Sequence, residues 1–464
     1  MIREGKTWRG FFFLWDALNR GCNLEPLNIP EMGEKMSTEG LQIAERARKY
    51  KGEALTNLHQ FIDEEMLRKS YRSLNKNSSP GVDGKYWHNY SLESGFRIPE
   101  LLGEFKSGKY KAPHIRRVYI QKGKTGKRPL GIPTIEDKIL QESVRRVLTP
   151  IYEEDFKDFS YGFRSGYSAH QAIEHMYREV SFKGLHYIID ADIKNYFGSI
   201  SHGIMHEFLD LRVKDGVIRK MIDKWLKAGI LEDKQLSYPK EGTPQGGIIS
   251  PLLSNIFLHY VLDEWFSEQI QPLLSGRSFI VRYADDFVLG FENSTDVDRV
   301  MKVLGKRFEK YKLELHPDKT KVIDLNSKGG DGNRSFDFLG FTHYLGKSLK
   351  GKVVLKRKTS SKKLGLAIDK VQAWIKQNRH RKIRELIAEL NAKLRGHYGY
   401  YGITFNSKGI DHYYMQVKRI LQKWLNRRGG NPVWNWERFN ILIKIWMPLI
   451  KPKIRHSYQI AKPI

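Results

Sequence analysis

Apolar residues recur at helical spacing from Gly40 to Leu74. Leu41, Ala44 and Ala47 come first, then Leu58, Phe61, Ile62 and Met66, and the spacing predicts two helices. Ser79-Pro80-Gly81-Val82-Asp83-Gly84 breaks that period and reads as a loop. Arg116 to Ile120 and Arg128 to Pro133 form the two arms of a hairpin, joined by a basic, glycine-containing turn. An amphipathic helix follows over Glu136 to Val147, and β-branched content predicts a strand over Leu185 to Asp192. Met205 to Leu226 is helical, Ile249 to Phe266 is a long apolar helix starting near Pro251, and Phe279 to Phe291 is β-rich with a polar turn at its middle. Strands and helices therefore mix without a regular βαβ repeat, which favours an α+β fold over a doubly wound sheet. Past Phe341 the texture changes: Lys356-Arg357-Lys358 leads into helical patterns over Leu364 to Ile375 and Ile383 to Leu394, then into an aromatic, basic tail. This change sets a domain boundary near residue 350, while residues 1–40 carry no period and form an unassigned extension.

Composition changes the picture through charge. The 464 residues are 40% hydrophobic, enough to bury the cores of several domains, and they carry a formal charge of +28. A surface that basic repels itself unless a polyanion neutralises it, so nucleic acid is the expected partner. Gly351 to Ile464 contain 26 Lys and Arg against 5 acidic residues, which concentrates +21 of the charge in the C-terminal quarter. Those cations are interleaved with Trp, Tyr and Phe, the mixture used to grip single strands and backbones. A single cysteine, Cys22, excludes internal disulfides and Cys-based zinc clusters and suits a reducing compartment. The apolar patch Phe11 to Trp15 is followed at once by Asp16, too short for a signal peptide or a membrane span.

The sharpest chemical signal is Tyr283-Ala284-Asp285-Asp286, held between Phe279-Ile280-Val281-Arg282 and Phe287-Val288-Leu289. Two adjacent carboxylates at a hairpin tip repel each other, and a divalent cation would relieve that cost. Magnesium takes one or two carboxylates plus phosphate oxygens, so a second strand should bring another acid to the same place. Asp190-Ala191-Asp192-Ile193 offers one at the end of Tyr187-Ile188-Ile189. Alternation puts Asp190 and Asp192 on one face, so the pattern does not choose between them. Asp192 is favoured because Phe197 follows five residues on, where a residue sensing a sugar would lie. Two magnesium ions held by Asp192, Asp285 and Asp286 would activate a primer 3′-hydroxyl and stabilise departing pyrophosphate. Gly242-Thr243-Pro244-Gln245-Gly246-Gly247 then feeds Ile248-Ile249-Ser250-Pro251, a loop in which glycines allow close backbone approach and Gln245 can bond to a base pair. A P-loop reading of Gly123-Lys124-Thr125 fails, because no glycine stands five positions earlier.

The order and wording of these strings resemble the reverse transcriptase family, and in particular the proteins encoded by bacterial group II introns, from about Ser79 into the C-terminal region. The resemblance implies a right-hand polymerase: fingers over 41–180, palm over 181–349, a helical thumb or maturase region over 350–410, and a small basic DNA-binding-like module over 411–464. It implies metal ligation by Asp192, Asp285, Asp286 and the Ile193 main chain, with two Mg²⁺ ions for which Mn²⁺ can substitute. It carries nucleotide contacts to Lys122, Arg128, Gln245 and Lys319, the last as a proton donor to pyrophosphate, and makes Phe197 the gate that excludes a ribose 2′-hydroxyl. Template and primer contacts fall to Phe163 and Arg164 in Tyr161-Gly162-Phe163-Arg164, to Gly246, and to Phe338-Leu339-Gly340 as a primer grip. Leu390 to Tyr401 resembles the thumb, and a helix bearing Arg379, Arg381, Lys382 and Arg384, with Arg395 beyond, would track a duplex backbone.

The function implied by the resemblance is that of an RNA-directed DNA polymerase that also assists intron splicing and mobility. Its expected partners are intron or template RNA, target or primer DNA and dNTPs, in the bacterial cytoplasm near the nucleoid and away from membranes. Unlike many relatives, the sequence shows no C-terminal His and Cys endonuclease cluster. Two other readings remain: a reverse transcriptase domesticated for phage defence or CRISPR spacer acquisition, and an RNA-binding splicing cofactor with vestigial polymerase chemistry. The intact acids argue against the latter.

Overall fold

The computed structural model describes residues 37–122, 126–232, 235–238, 241–243, 245–326, 334–429 and 433–457, and of Lys122 only the backbone. Phe11 to Trp15 and most of the expected N-terminal extension lie outside these residues. The described residues up to Asp324 form one compact unit and those from Leu325 a second.

The first unit opens with α1 (Thr38–Lys49) and α2 (Glu64–Ser73); two helices are expected there, but Leu58–Phe61 form a 3-10 turn ahead of α2, which takes only Met66 of the second apolar set. Each of the two helices begins at a residue whose side chain accepts from an amide of the first turn, Ser37 from Gly40 and Asp63 from Met66. A third helix, α3 (Trp87–Lys106), is concealed in the sequence by Gly95 and Pro99, yet it buries Tyr90, Ile98, Leu101 and Phe105. β1 (Ile115–Lys122) and β2 (Gly126–Ile132) make the expected hairpin, in register from Arg116 opposite Ile132 to Lys122 opposite Gly126. Capped by Thr134, α4 (Ile135–Glu153) passes through the core, with Ile139, Leu140, Val144, Val147, Leu148 and Ile151 fully buried. Next come α5 (Ala169–Lys183), ended by Gly184 in the left-handed region, and β3 (Tyr187–Ala191).

The stretch Met205 to Leu226 is not one helix but two, α6 (His202–Asp210) and α7 (Gly216–Leu226). The backbone between them is diverted to pair with Leu55, whose amide donates to the Arg212 carbonyl and whose carbonyl accepts from Lys214. Asp215 then restarts the helix by accepting from the Val217 and Ile218 amides. β4 (Ile230–Glu232) and β5 (Gln235–Ser237) extend the first hairpin into a sheet of order β2-β1-β4-β5, in which β1 and β4 run parallel. The long apolar helix starts as α8 (Ser250–Leu258), with Pro251 in its first turn, and continues through π-helical turns to Ile270.

The second sheet of this unit has the order β6-β7-β3-β8, from β6 (Ser278–Tyr283), β7 (Asp286–Phe291) and β8 (Lys321–Asp324), all antiparallel. Between β7 and β8, α9 (Ser294–Lys310) buries Val297, Val300, Leu304 and Phe308 and packs on β3 and β7. Burial of the sheet's inner residues, among them Ile188, Ile189, Phe287, Val288 and Leu289, anchors it from below and leaves the β6–β7 turn at its rim. The second unit holds a three-stranded sheet of β9 (Ser335–Phe338), β10 (Phe341–Lys347) and β11 (Val353–Thr359), in the order β11-β10-β9. Helices α10 (Ser361–Asn378), α11 (Ile383–Tyr401), α12 (Ser407–Leu425) and α13 (Trp436–Ile441) follow. The molecule is thus a mixed α and β fold. None of its described helices is long and apolar enough to cross a membrane.

Candidate active site

The β6–β7 hairpin reverses through Ala284-Asp285, with Tyr283 paired to Asp286 and Ala284 held at φ 59°. On the other side of β7 runs β3, in register with Asp190 opposite Val288 and Ala191 opposite Phe287. The ladder ends at that pair, so Asp192 after β3 and Asp286 in β7 are each the next residue beyond it. The register also separates the two acids that alternation left equivalent. Asp190 lies inside the ladder, between Val288 and Lys321, whereas Asp192 lies just past its end, on the rim that carries Asp285 and Asp286.

The chain after Asp192 is tied to a third segment. The Asp192 carbonyl accepts from His316, Ile193 bridges Leu315, and the Lys194 amide donates to Glu314. This pairing delivers Lys319, whose ammonium forms an ion pair with the Asp192 carboxylate. Asp192, with the Lys319 ammonium on it, and the adjacent Asp285 and Asp286 are hard oxygen donors at one end of the sheet, and a small divalent cation would relieve the repulsion between neighbouring carboxylates. Among the described residues no three acidic, His or Cys side chains already stand together as a metal cage. Magnesium suits such an open set, since it keeps waters or substrate phosphates in most of its coordination positions.

Behind the turn lies a residue set not expected from the sequence. Arg282 is 0% exposed, and its guanidinium is clamped by both carboxylate oxygens of Asp263 at 2.7 and 2.5 Å. It also donates to Asn255 Oδ1 at 3.0 Å, to Ser160 Oγ at 2.6 Å and to the Ala284 carbonyl at 3.0 Å. The sequence did carry a signal: Arg282 is the one charged residue in the apolar run Phe279 to Tyr283, and Asp263 interrupts an apolar helix. The Tyr161-Gly162 segment lies against the same turn, since the Tyr161 amide donates to the Arg282 carbonyl. A Cβ on Gly162 would come within 2.2 Å of the Ala284 nitrogen.

Two of the expected nucleotide contacts meet. Arg128 Nε donates to Gln245 Oε1 at 2.9 Å, and the Gly131 amide donates to the Gln245 carbonyl at 2.5 Å. Gly246, at φ 116°, lets that loop lie on β2, where a Cβ would approach the Gly131 carbonyl to 2.3 Å. Gly242 and Thr243 join the same loop to the helical turn Tyr196–Ser199, the Thr243 amide donating to the Phe197 carbonyl. Phe197 is 8% exposed and rests edge-on against Tyr196. The Lys122 side chain, Lys124 and Pro244 lie outside the described residues.

Other expectations are redirected by burial. Arg164 is not a surface cation: it is 4% exposed and donates to Glu153 and to the carbonyls of Lys157 and Ser160. Breaking that network to reach nucleic acid would strand the Glu153 carboxylate, so Arg164 serves as a brace. Its neighbour Phe163, at φ 60°, is 39% exposed. Within the second unit, Phe338 and Phe341 pair across a turn of Leu339 and Gly340, both at positive φ, and Tyr400 donates to the Leu339 carbonyl at 2.7 Å. Phe338 is buried, which leaves Leu339 and Gly340 at the tip. Arg379, Arg381, Lys382 and Arg384 do not share one helix. Arg379 closes α10, Arg381 and Lys382 occupy the turn, and Arg384 lies in the first turn of α11. Arg379 lies over Trp424 and Arg381 pairs with Glu389 at 2.8 Å, while Lys382, Arg384 and Arg395 are exposed.

Comparison with known proteins gives matches over both units. Residues 120–343 match the family described as reverse transcriptase (RNA-dependent DNA polymerase), and residues 366–440 match the group II intron, maturase-specific domain. The group II intron-encoded protein LtrA of Lactococcus lactis subsp. cremoris is 30% identical over 470 residues, covering 82% of this chain and 77% of that protein. Protein YkfC of Escherichia coli K12 is 33% identical over 292 residues, covering 56% of this chain and 75% of its own length. An uncharacterized 91 kDa protein in the cob intron of Schizosaccharomyces pombe is 40% identical over 185 residues, 40% of this chain and 22% of that protein.

Proposed function

The chain belongs to the group II intron-encoded reverse transcriptase and maturase family, and on that premise we propose that Asp192, Asp285 and Asp286 form the polymerase centre. It is an RNA-directed DNA polymerase with a maturase domain acting on intron RNA. Asp192, Asp285 and Asp286, joined by the Ile193 carbonyl, would hold two Mg²⁺ ions. When bound, magnesium would lower the pKa of a primer 3′-hydroxyl and neutralise charge on departing pyrophosphate.

The protein's own groups surround that centre. Arg128, positioned by Gln245, and Lys122 from the facing strand draw the triphosphate of a dNTP to the rim. Lys319, already paired with Asp192, carries a proton that it can give to pyrophosphate. The Phe197 ring packs where a 2′-hydroxyl would collide with it. Phe163 and Gly246 contact template, Leu339 and Gly340 support the primer end, and Lys382, Arg384 and Arg395 hold duplex backbone. In this reading residues 41–180 are fingers, 181–349 palm, 350–410 thumb and 411–464 a nucleic-acid-binding module of a right-hand polymerase.

The observation that carries the proposal is the β3–β7 register, whose last pair, Ala191 opposite Phe287, immediately precedes Asp192 on one side and follows Asp286 on the other. Its test is primer extension on an RNA template with dNTPs and Mg²⁺. The wild-type chain should extend the primer and Asp285→Ala should not, while both bind the primer–template alike. Undiminished extension by Asp285→Ala would overturn the assignment.

A further inference from the structure

We propose that Arg282, clamped by Asp263 and Asn255, is a positioning residue that fixes the Asp285–Asp286 turn for metal binding; this rests on those acids being the metal ligands. Arg282 has five N–H groups, and the structure provides an acceptor for each. Two go to the Asp263 carboxylate, one to Asn255 Oδ1, one to Ser160 Oγ and one to the Ala284 carbonyl. The residues supplying these side chains, Asp263, Asn255 and Ser160, are each at most 1% exposed.

A buried ion pair costs desolvation and is poor evidence of stabilisation by itself. What marks this one is the place its last donor goes. Ala284 sits in the left-handed region, at φ 59°, where a residue with a Cβ is strained. Its carbonyl is held by Arg282 Nη1, two residues back in the same chain. The other face of the turn is closed by Gly162, whose missing Cβ leaves only backbone-to-backbone contact with Ala284. Asn255 joins the two supports, accepting from Arg282 and donating to the Gly162 carbonyl at 2.7 Å. Asp263, for its part, lies in a π-helical turn that continues α8, and such turns commonly mark functional sites.

The turn preceding the two acids is thus gripped on both faces by groups that never reach the solvent. A carboxylate pair that must accept a cation benefits from such fixing, because its like charges would otherwise swing apart. Partners that orient ligands from behind are costly to lose even though they touch neither metal nor substrate.

The test is the Mg²⁺ dependence of primer extension at saturating dNTP, for Arg282→Lys and for Asn255→Ala. A lysine keeps the charge but has three donors in place of five and cannot form the fork. The half-saturating Mg²⁺ concentration should rise by about tenfold or more in Arg282→Lys. The KM for dNTP should stay within roughly twofold, since these residues act through the metal ligands alone. Should Arg282→Lys fail to fold, Asn255→Ala decides, because it leaves the Arg282–Asp263 pair in place and is expected to show the same selective shift. A folded variant with unchanged Mg²⁺ dependence, or with kcat lost equally at all Mg²⁺ concentrations, would overturn the inference. Asp285→Asn, run in parallel, separates the two claims. If it extends primers normally, the metal assignment itself falls; if it is inactive while the brace variants behave as wild type, only the positioning role falls.

Discussion

Single side chains decide most of the chemistry proposed here, and Phe197 shows how directly a substitution can report on it. The ring is nearly buried, so Phe197→Ala should lower stability by about 3–5 kcal/mol. That loss affects both substrate classes equally. The ratio of deoxyribonucleotide to ribonucleotide incorporation does not share it, and should fall roughly tenfold or more if the ring packs against the sugar. An unchanged ratio would make Phe197 a core residue and nothing else. Asp137 reports instead on folding. Burial pushes its carboxyl up to about 7, even though Trp225 and Tyr110 donate to it. Its folded pKa therefore exceeds the unfolded value of about 3.9. The folded state holds the proton more tightly between those limits, so this residue's contribution to stability declines from about pH 4 to pH 7 and is level above. Asp137→Asn does not titrate. The thermal midpoint should fall less between pH 5 and pH 8 in the variant than in the wild type.

At the scale of elements, alternation and turn chemistry were legible where local pattern and tertiary structure agree. The β1–β2 hairpin, β3 and the β6–β7 hairpin lie where their β-branched runs place them. What the pattern missed was set by partners distant in sequence. Nothing local in Leu211 to Lys214 stops a helix; Leu55 does, by claiming the backbone hydrogen bonds. In α3 the helix persists through Gly95 and Pro99 because its buried face outweighs their propensity. Asp190 and Asp192 are equivalent by alternation and become distinct only when β7 sets the register. The same limit applies to Arg164, whose wording in the chain suggests an exposed cation and whose surroundings bury it. Burial and register are properties of pairs of elements, so a reading of one segment at a time does not contain them.

Across the whole molecule the charge is the dominant fact, with +21 of the formal +28 lying beyond residue 350. Lys382 and Arg384 are exposed cations of the second unit, and in the proposed reading they would supply nucleic-acid affinity that is not specific to sequence. Neutralising one such residue that contacts a phosphate should reduce the slope of log K against log salt by about 0.9. Lys382→Ala with Arg384→Ala should therefore flatten the salt dependence of RNA binding while leaving the Mg²⁺ requirement of polymerisation unchanged. A slope equal to that of the wild type would remove these residues from the interface.

Asp192, just past β3, and the acids of the β6–β7 turn are proposed to share one pair of metal ions, and affinity cleavage tests this without relying on turnover. Fe²⁺ would be substituted for Mg²⁺ on the complex with primer–template and dNTP, and peroxide added, so that the backbone is cut wherever the metal lies close. Shared ligation predicts cuts in two windows, around Asp192 and around Asp285, both suppressed by excess Mg²⁺ and both lost in Asp286→Ala. Cleavage confined to one window would contradict it.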